Sequence, residues 1–133
     1  MSAARALAAS LLALLRADAT LAAGLGTRIW DAAPRDPDFP HLVLDEVVAR
    51  DRSGQDTMLE EIRLTLRLFS RGGGRVEVAG LAERVETVIA GAILAPAGVR
   101  VVLLRREATE IRPLRDRVTT EAVLRLVALT EPA

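Results

Sequence analysis

Leucine sets the first rhythm of the chain. Leu7, Leu11, Leu14 and Leu15 fall at i, i+4, i+7 and i+8, one face of a helix, which predicts an amphipathic helix over 3–16. Asp18 is placed to cap a short second turn through Ala23, and Gly24 and Gly26 end it. Arg28–Ala32 reads as a short strand around Ile29 and Trp30. Pro34, Pro37 and Pro40 then make a stiff extended loop. His41–Arg50 is a Leu/Val-rich strand, and 51–56 a polar turn. From Met58 to Ser70 the pattern changes to strict alternation. Ile62, Leu64, Leu66 and Leu68 interleave with Arg63, Thr65 and Arg67, so one face is buried and the other polar. A second helix carries Val78, Leu81, Ala82, Val85, Val88, Ile89 and Ala92 to about Leu94. Val99–Ala108 and Arg117–Thr130 are two more strands, closed into a hairpin by 111–116. In the last strand Ala122, Leu124, Leu126 and Ala128 face one way, and Glu121, Val123, Arg125 and Val127 the other.

These elements predict one α+β domain over 1–133: an antiparallel sheet of about four main strands in two hairpins, with two helices on one face. The helices are expected on the leucine face of the strand from Met58 to Ser70. A chain of 133 residues buries a core of its own without staples.

Composition narrows the chemistry. All 18 cationic residues are arginine and are matched by 18 carboxylates, so the net charge is zero. A general nucleic-acid binder carries a basic excess, because phosphate neutralisation dominates its affinity. Cysteine is absent, which excludes disulfides, thiolate metal sites and cysteine nucleophiles. The N-terminal run could pass for a secretion signal with Ala17-Asp18-Ala19 as its cleavage site. Ser10, Arg16 and Asp18 interrupt that pattern, and the leucine stripe favours the helix. No stretch reaches the ~20 apolar residues of a membrane span.

Candidate catalytic groups are sparse. His41, the single histidine, has no nucleophile motif beside it. The adjacent pairs Asp45/Glu46 and Glu60/Glu61 lie on strands, where neighbours point to opposite faces, so neither pair converges on one substrate. The run Arg71-Gly72-Gly73-Gly74-Arg75 leads into a helix but lacks the Lys-Ser/Thr ending of a P-loop. It reads as a tight turn. No catalytic, metal or cofactor site is expected.

The polar strand faces are the better candidates. Arg63, Thr65, Arg67, Val123, Arg125 and Val127 would form a mixed surface suited to a subunit contact, since arginine favours interface ion pairs. Trp30 and Phe39 flank the proline loop in a chain with only three aromatics. They are expected to anchor the loop in the core or, failing that, to anchor a partner. Asp51, Arg52 and Asp56 mark a hairpin tip able to reach a neighbour.

In order and spacing the chain resembles the tail-completion or tail-terminator family of long-tailed phages, prophages and gene transfer agents. The resemblance starts in the Ala/Leu helix and Leu21-Ala22-Ala23-Gly24-Leu25-Gly26. It runs through Arg28-Ile29-Trp30-Asp31-Ala32-Ala33-Pro34 and Asp38-Phe39-Pro40-His41-Leu42-Val43-Leu44. It resumes at Arg63-Leu64-Thr65-Leu66-Arg67-Leu68-Phe69-Ser70-Arg71 and ends at Thr119-Thr120-Glu121-Ala122-Val123-Leu124-Arg125-Leu126. The helix entry departs from it, with three glycines and Val76 where more Ala and Lys stand. The resemblance implies a non-enzymatic ring subunit, commonly hexameric, made in the bacterial cytoplasm and built into the head–tail junction of a virion or phage-like particle. Such a ring ends the tail tube, meets the tube protein and the head-side connector, and lets DNA through its lumen without specific binding. No membrane and no cofactor is implied. Prophage and gene transfer agent stay open as sources. The competing readings are an adaptor module unrelated to particles and a small hydrolase using the carboxylates.

Overall fold

The computed structural model describes residues 2–72 and 74–133. Its elements are α1 (Ala3–Ala17), α2 (Ala19–Leu25), β1 (Ile29–Trp30), β2 (His41–Asp51), β3 (Glu60–Arg71), α3 (Gly74–Ala90), β4 (Val99–Pro113) and β5 (Thr119–Pro132). The strands form a five-stranded sheet in the order β1-β2-β3-β5-β4. All neighbours are antiparallel except β1, which runs parallel to β2. The fold is α+β, as the alternation implies, with a fifth short strand and a third short helix.

Local chemistry sets the boundaries. The Ser2 hydroxyl accepts from the Arg5 N–H and caps α1. Asp18 ends α1 and caps α2, accepting from the Leu21 N–H at 3.0 Å. The chain bends by 81° between the two helices. Gly26 ends α2 at φ +60, where a side chain would be strained. The Arg28 guanidinium donates to the Pro40 carbonyl at 2.7 Å and spans the proline loop, in which the Phe39–Pro40 peptide is cis. The glycine run after β3 includes Gly73, which lies outside the described residues.

The core lies between the sheet and the helices. Leu7, Leu11 and Leu15 of α1, Leu21 and Leu25 of α2, and Val78, Ala82, Val85 and Ile89 of α3 are buried. They meet Leu42 and Leu44 of β2, Ile62, Leu64, Leu66 and Leu68 of β3, and Ala122, Leu124, Leu126 and Ala128 of β5. All three helices therefore sit on the leucine face of β3, and burying this aliphatic surface is the main drive to fold. No single described helix is long and apolar enough to cross a membrane.

The short strand expected over Arg28–Ala32 shrinks to Ile29–Trp30, and two longer elements differ by four or five residues at one end. The helix stops at Ala90, before Gly91, and 92–96 leaves the helix as an open connection. Strand β4 runs on to Pro113, because Ile111 continues the side-chain alternation and packs on the core. Pro113 is tolerated there because β4 is an edge strand. The hairpin turn is therefore 114–118, with Arg117 at φ 63.

Candidate functional site

The face of the sheet away from the helices carries the charged residues. On β3, Glu61, Arg63, Thr65, Arg67, Phe69 and Arg71 alternate with the buried leucines. Arg63 binds Glu61 at 3.2 Å and Glu107 at 2.8 Å. Arg67 binds Asp45 at 2.8 Å and Glu121 at 3.0 Å. Glu121 also accepts from Arg112 at 3.0 Å, and Arg125 pairs with Glu110 at 3.1 Å. The carboxylates around Arg63 and Arg67 hold both guanidinium pKa values above their usual value. The result is a lattice of ion pairs running across β2, β3, β5 and β4.

Two bulges make this lattice possible. The ladder slips between Leu44 and Glu46 on β2 and between Arg106 and Ala108 on β4. The extra residues are Asp45 and Glu107, and their carboxylates are the ones that accept from Arg67 and Arg63.

The predicted surface residues divide by depth. Val123 and Val127, on β5 between β3 and β4, are 1% and 4% exposed, beneath the charged layer. Arg63 and Arg125 keep 41% and 46% of their side chains in solvent, while Arg67 is more covered. Thr65 lies half-buried between Arg63 and Arg67. A neighbouring molecule would therefore meet the arginines and carboxylates first.

One end of this face holds the aromatics. Trp30, Phe39 and Phe69 surround His41, with centroid distances of 5.4, 4.8 and 5.0 Å. Arg71 lies over the Phe39 ring at 4.0 Å. The histidine Nδ1 donates to the Asp38 carbonyl at 2.9 Å. Burial lowers the His41 pKa from its usual 6.5. Trp30 and Phe39 thus anchor the proline loop onto β2. His41 stands in an aromatic setting rather than beside a nucleophile.

The hairpin tip is exposed from Asp51 to Met58. It is closed by Ser53, whose N–H donates to Asp51 and whose hydroxyl accepts from the Leu59 N–H. The Ser53 hydroxyl and N–H lower the Asp51 pKa. Arg52 reaches Glu61 at 3.5 Å, and Asp56 stands exposed at the tip. Of the carboxylate pairs, Asp45 and Glu46 do not take opposite faces as alternation predicts, because the bulge puts both on the open face, where Asp45 is bound by Arg67; Glu61 is bound by Arg63. Among the described residues no cluster of His, Asp and Glu has the arrangement of a metal site.

Sequence reasoning missed Glu121, Glu107, Asp45 and Glu110 as partners of the arginines. A period-two pattern signals which face a residue takes, but not which strand lies beside it.

The family model for tail completion protein gp17 matches residues 9–131. The chain belongs to that family. This gp17-family chain also has the fold of a chain in a solved structure described as the virion of a native gene transfer agent particle. The two are 26% identical, the match covers 98% of this chain and 99% of that one, and the TM-score is 0.88. No curated protein matches the chain. Tail completion proteins form a structural family, not an enzyme family.

Proposed function

We propose that this gp17-family protein is a ring subunit, in six copies, at the head–tail junction of a phage-like particle or gene transfer agent. There it ends the tail tube and joins it to the head-side connector. The observation carrying this reading is the end-to-end likeness to one chain of a gene transfer agent virion.

The open sheet face suits such a place. Arg63, Thr65, Arg67 and Arg125, over Val123 and Val127, would present neighbouring subunits with a polar layer already ordered by its own ion pairs. Preordering lowers the entropy cost of docking. The chain's net charge of zero supplies no basic excess, so DNA passing through a ring lumen would not be held. The exposed tip with Asp51, Arg52 and Asp56, and the loop braced by Trp30 and Phe39, are the parts that would reach the tube or the connector.

Electron microscopy of intact particles tests this placement. The expected result is density for this chain as a closed ring between tail tube and head connector. Density elsewhere in the particle, or particles that join heads to tails normally when the chain is deleted, would overturn it.

A further inference from the structure

The sheet ends in two edges that the chain itself leaves open. β1 pairs with β2 only at Leu42 and Val43. From Leu44 to Asp51 no described strand lies on the outer side of β2. At the far end β4 pairs with β5 alone. Long open edges offer unpaired backbone groups to another strand.

The two edges match in both layers. On the helix side of β4, Ile93 is 96% exposed and Val102 51% exposed, and both rim a hollow with Ile89 and Leu104. On the helix side of β2, Val47 and the flank of α1 formed by Ala4, Ala8, Ala9 and Leu12 line a groove of about 580 Å³, together with the charged side chains of Arg5, Arg16 and Asp31. One edge thus projects bulky aliphatic side chains, and the other offers a groove of small apolar side chains bordered by Arg5, Arg16 and Asp31. On the open face, Arg105 of β4 has no carboxylate within ion-pair distance among the described residues, and Glu46 of β2 has no cation.

Strand direction fits as well. β5 runs with β2, and β4 runs with β3, opposite to them. A second copy in the same orientation sets its β2 antiparallel to β4 of the first, the slightly stronger pairing. Across the sheet, Val48 aligns with Arg63, Val127 and Arg105. With the edges level, Arg105 therefore stands opposite Val48 of the next copy and diagonal to its Glu46, within reach of a long side chain.

We infer that copies of this chain join head to tail, the β4 edge of one against the β2 edge and alanine flank of α1 of the next. Because the two patches differ, the contact is heterologous, and repeated rotation closes it into a ring rather than a two-fold dimer. This deepens the ring reading above, moving the contact between copies from the open sheet face to the sheet edges, and rests on that reading for closure.

The absence of cysteine makes the test clean. Glu46→Cys and Arg105→Cys are combined in one chain, assembled into particles and treated with a bismaleimide long enough to absorb a small slip in register. The expected result is a ladder of linked species ending at the closed ring, while each single variant stays unlinked. Normally assembled particles in which the double variant stays monomeric would overturn the inference, as would dimers from Arg105→Cys alone. If the cysteine particles do not form, a charge exchange decides. Glu46→Arg and Arg105→Glu should each lower incorporation into particles severalfold, and the combined exchange should restore it; no recovery overturns the contact. A ladder without a ring at the head–tail junction sinks the placement but leaves the edge contact standing, and a ring there without a ladder does the reverse.

Discussion

Arg67 on β3 reaches diagonally to Glu121 on β5, Nη1 to Oε2 at 3.0 Å, and Glu121 is only 4% exposed. The carboxylate lies on the charged face of the sheet yet is nearly sealed from water. Its charge is tolerated because Arg67 and Arg112 both donate to it. Removing one partner of a fully buried pair costs roughly 3–5 kcal/mol, while an exposed pair is worth about 0–1 kcal/mol. Since Arg112 remains, Arg67→Ala is expected to cost about 2–3 kcal/mol. Arg125→Ala, whose pair with Glu110 is about half exposed on both sides, should cost less than about 1 kcal/mol. Urea denaturation of both variants checks the ranking, and equal losses contradict it.

The aliphatic core has a corresponding test at Leu66, which is fully buried on β3 among leucines of the sheet and helices. Leu66→Ala removes buried methyl groups and leaves a cavity, for an expected loss of about 2–5 kcal/mol. Thr65→Ala, one residue away on the other face, should change stability by about 0.5 kcal/mol or less. A small effect at Leu66 would contradict the assignment of the two faces.

Trp30, the only tryptophan, lies 5.4 Å from His41 between ring centroids, so its fluorescence reports the histidine. Burial holds the His41 pKa below 6.5, so the folded state favours the neutral ring. The stability this lends is full above pH 6.5 and falls as pH drops below it, because the unfolded chain takes up the proton first. Protonated histidine quenches tryptophan. The emission of folded protein should therefore fall with a midpoint below 6.5, and the step should vanish in His41→Phe. A midpoint above 6.5 is incompatible with this environment.

Asp18 and Asp116 should govern acid stability. Arg84 donates to Asp18 and Thr119 to Asp116, with backbone N–H groups adding to both, and each carboxyl is held at about 2 against the usual 3.8. Their contribution is fully present above pH 3.8 and is lost as pH falls through 2. An Asp18→Asn, Asp116→Asn double variant is expected to melt lower near neutral pH and to show a flatter decline in Tm between pH 3.8 and 2 than the unmodified chain. Parallel declines would show that other groups control acid unfolding.

The hairpin tip offers a functional readout. If the acidic tip borders the DNA path, Asp51→Arg with Asp56→Arg should slow DNA ejection from particles, by adding cations that hold passing phosphates. Ejection kinetics unchanged from the parent particle would remove the tip from that path.

Much of this was legible in one dimension. The leucine spacing of α1, the alternation in β3 and β5, and the glycines and prolines between elements marked where each element lies and which face it buries. Physically, helix and strand periods convert a linear order of apolar residues directly into a face. The cluster around His41 was half legible. Trp30 and Phe39 stood out by rarity, but their meeting with Phe69 depends on the register that sets His41 opposite Phe69 in the predicted hairpin.

The amino-acid order alone thus determined the buried aliphatic face, the arginine face behind it and the neutral charge balance. Only the folded sheet decided that Asp45 and Glu107 would bulge toward Arg67 and Arg63, that Glu121 would be sealed between two arginines, and that β2 and β4 would be left with open edges. Those outcomes depend on strand order and register, which arise from contacts between segments far apart in the chain and leave no periodic trace in any one of them.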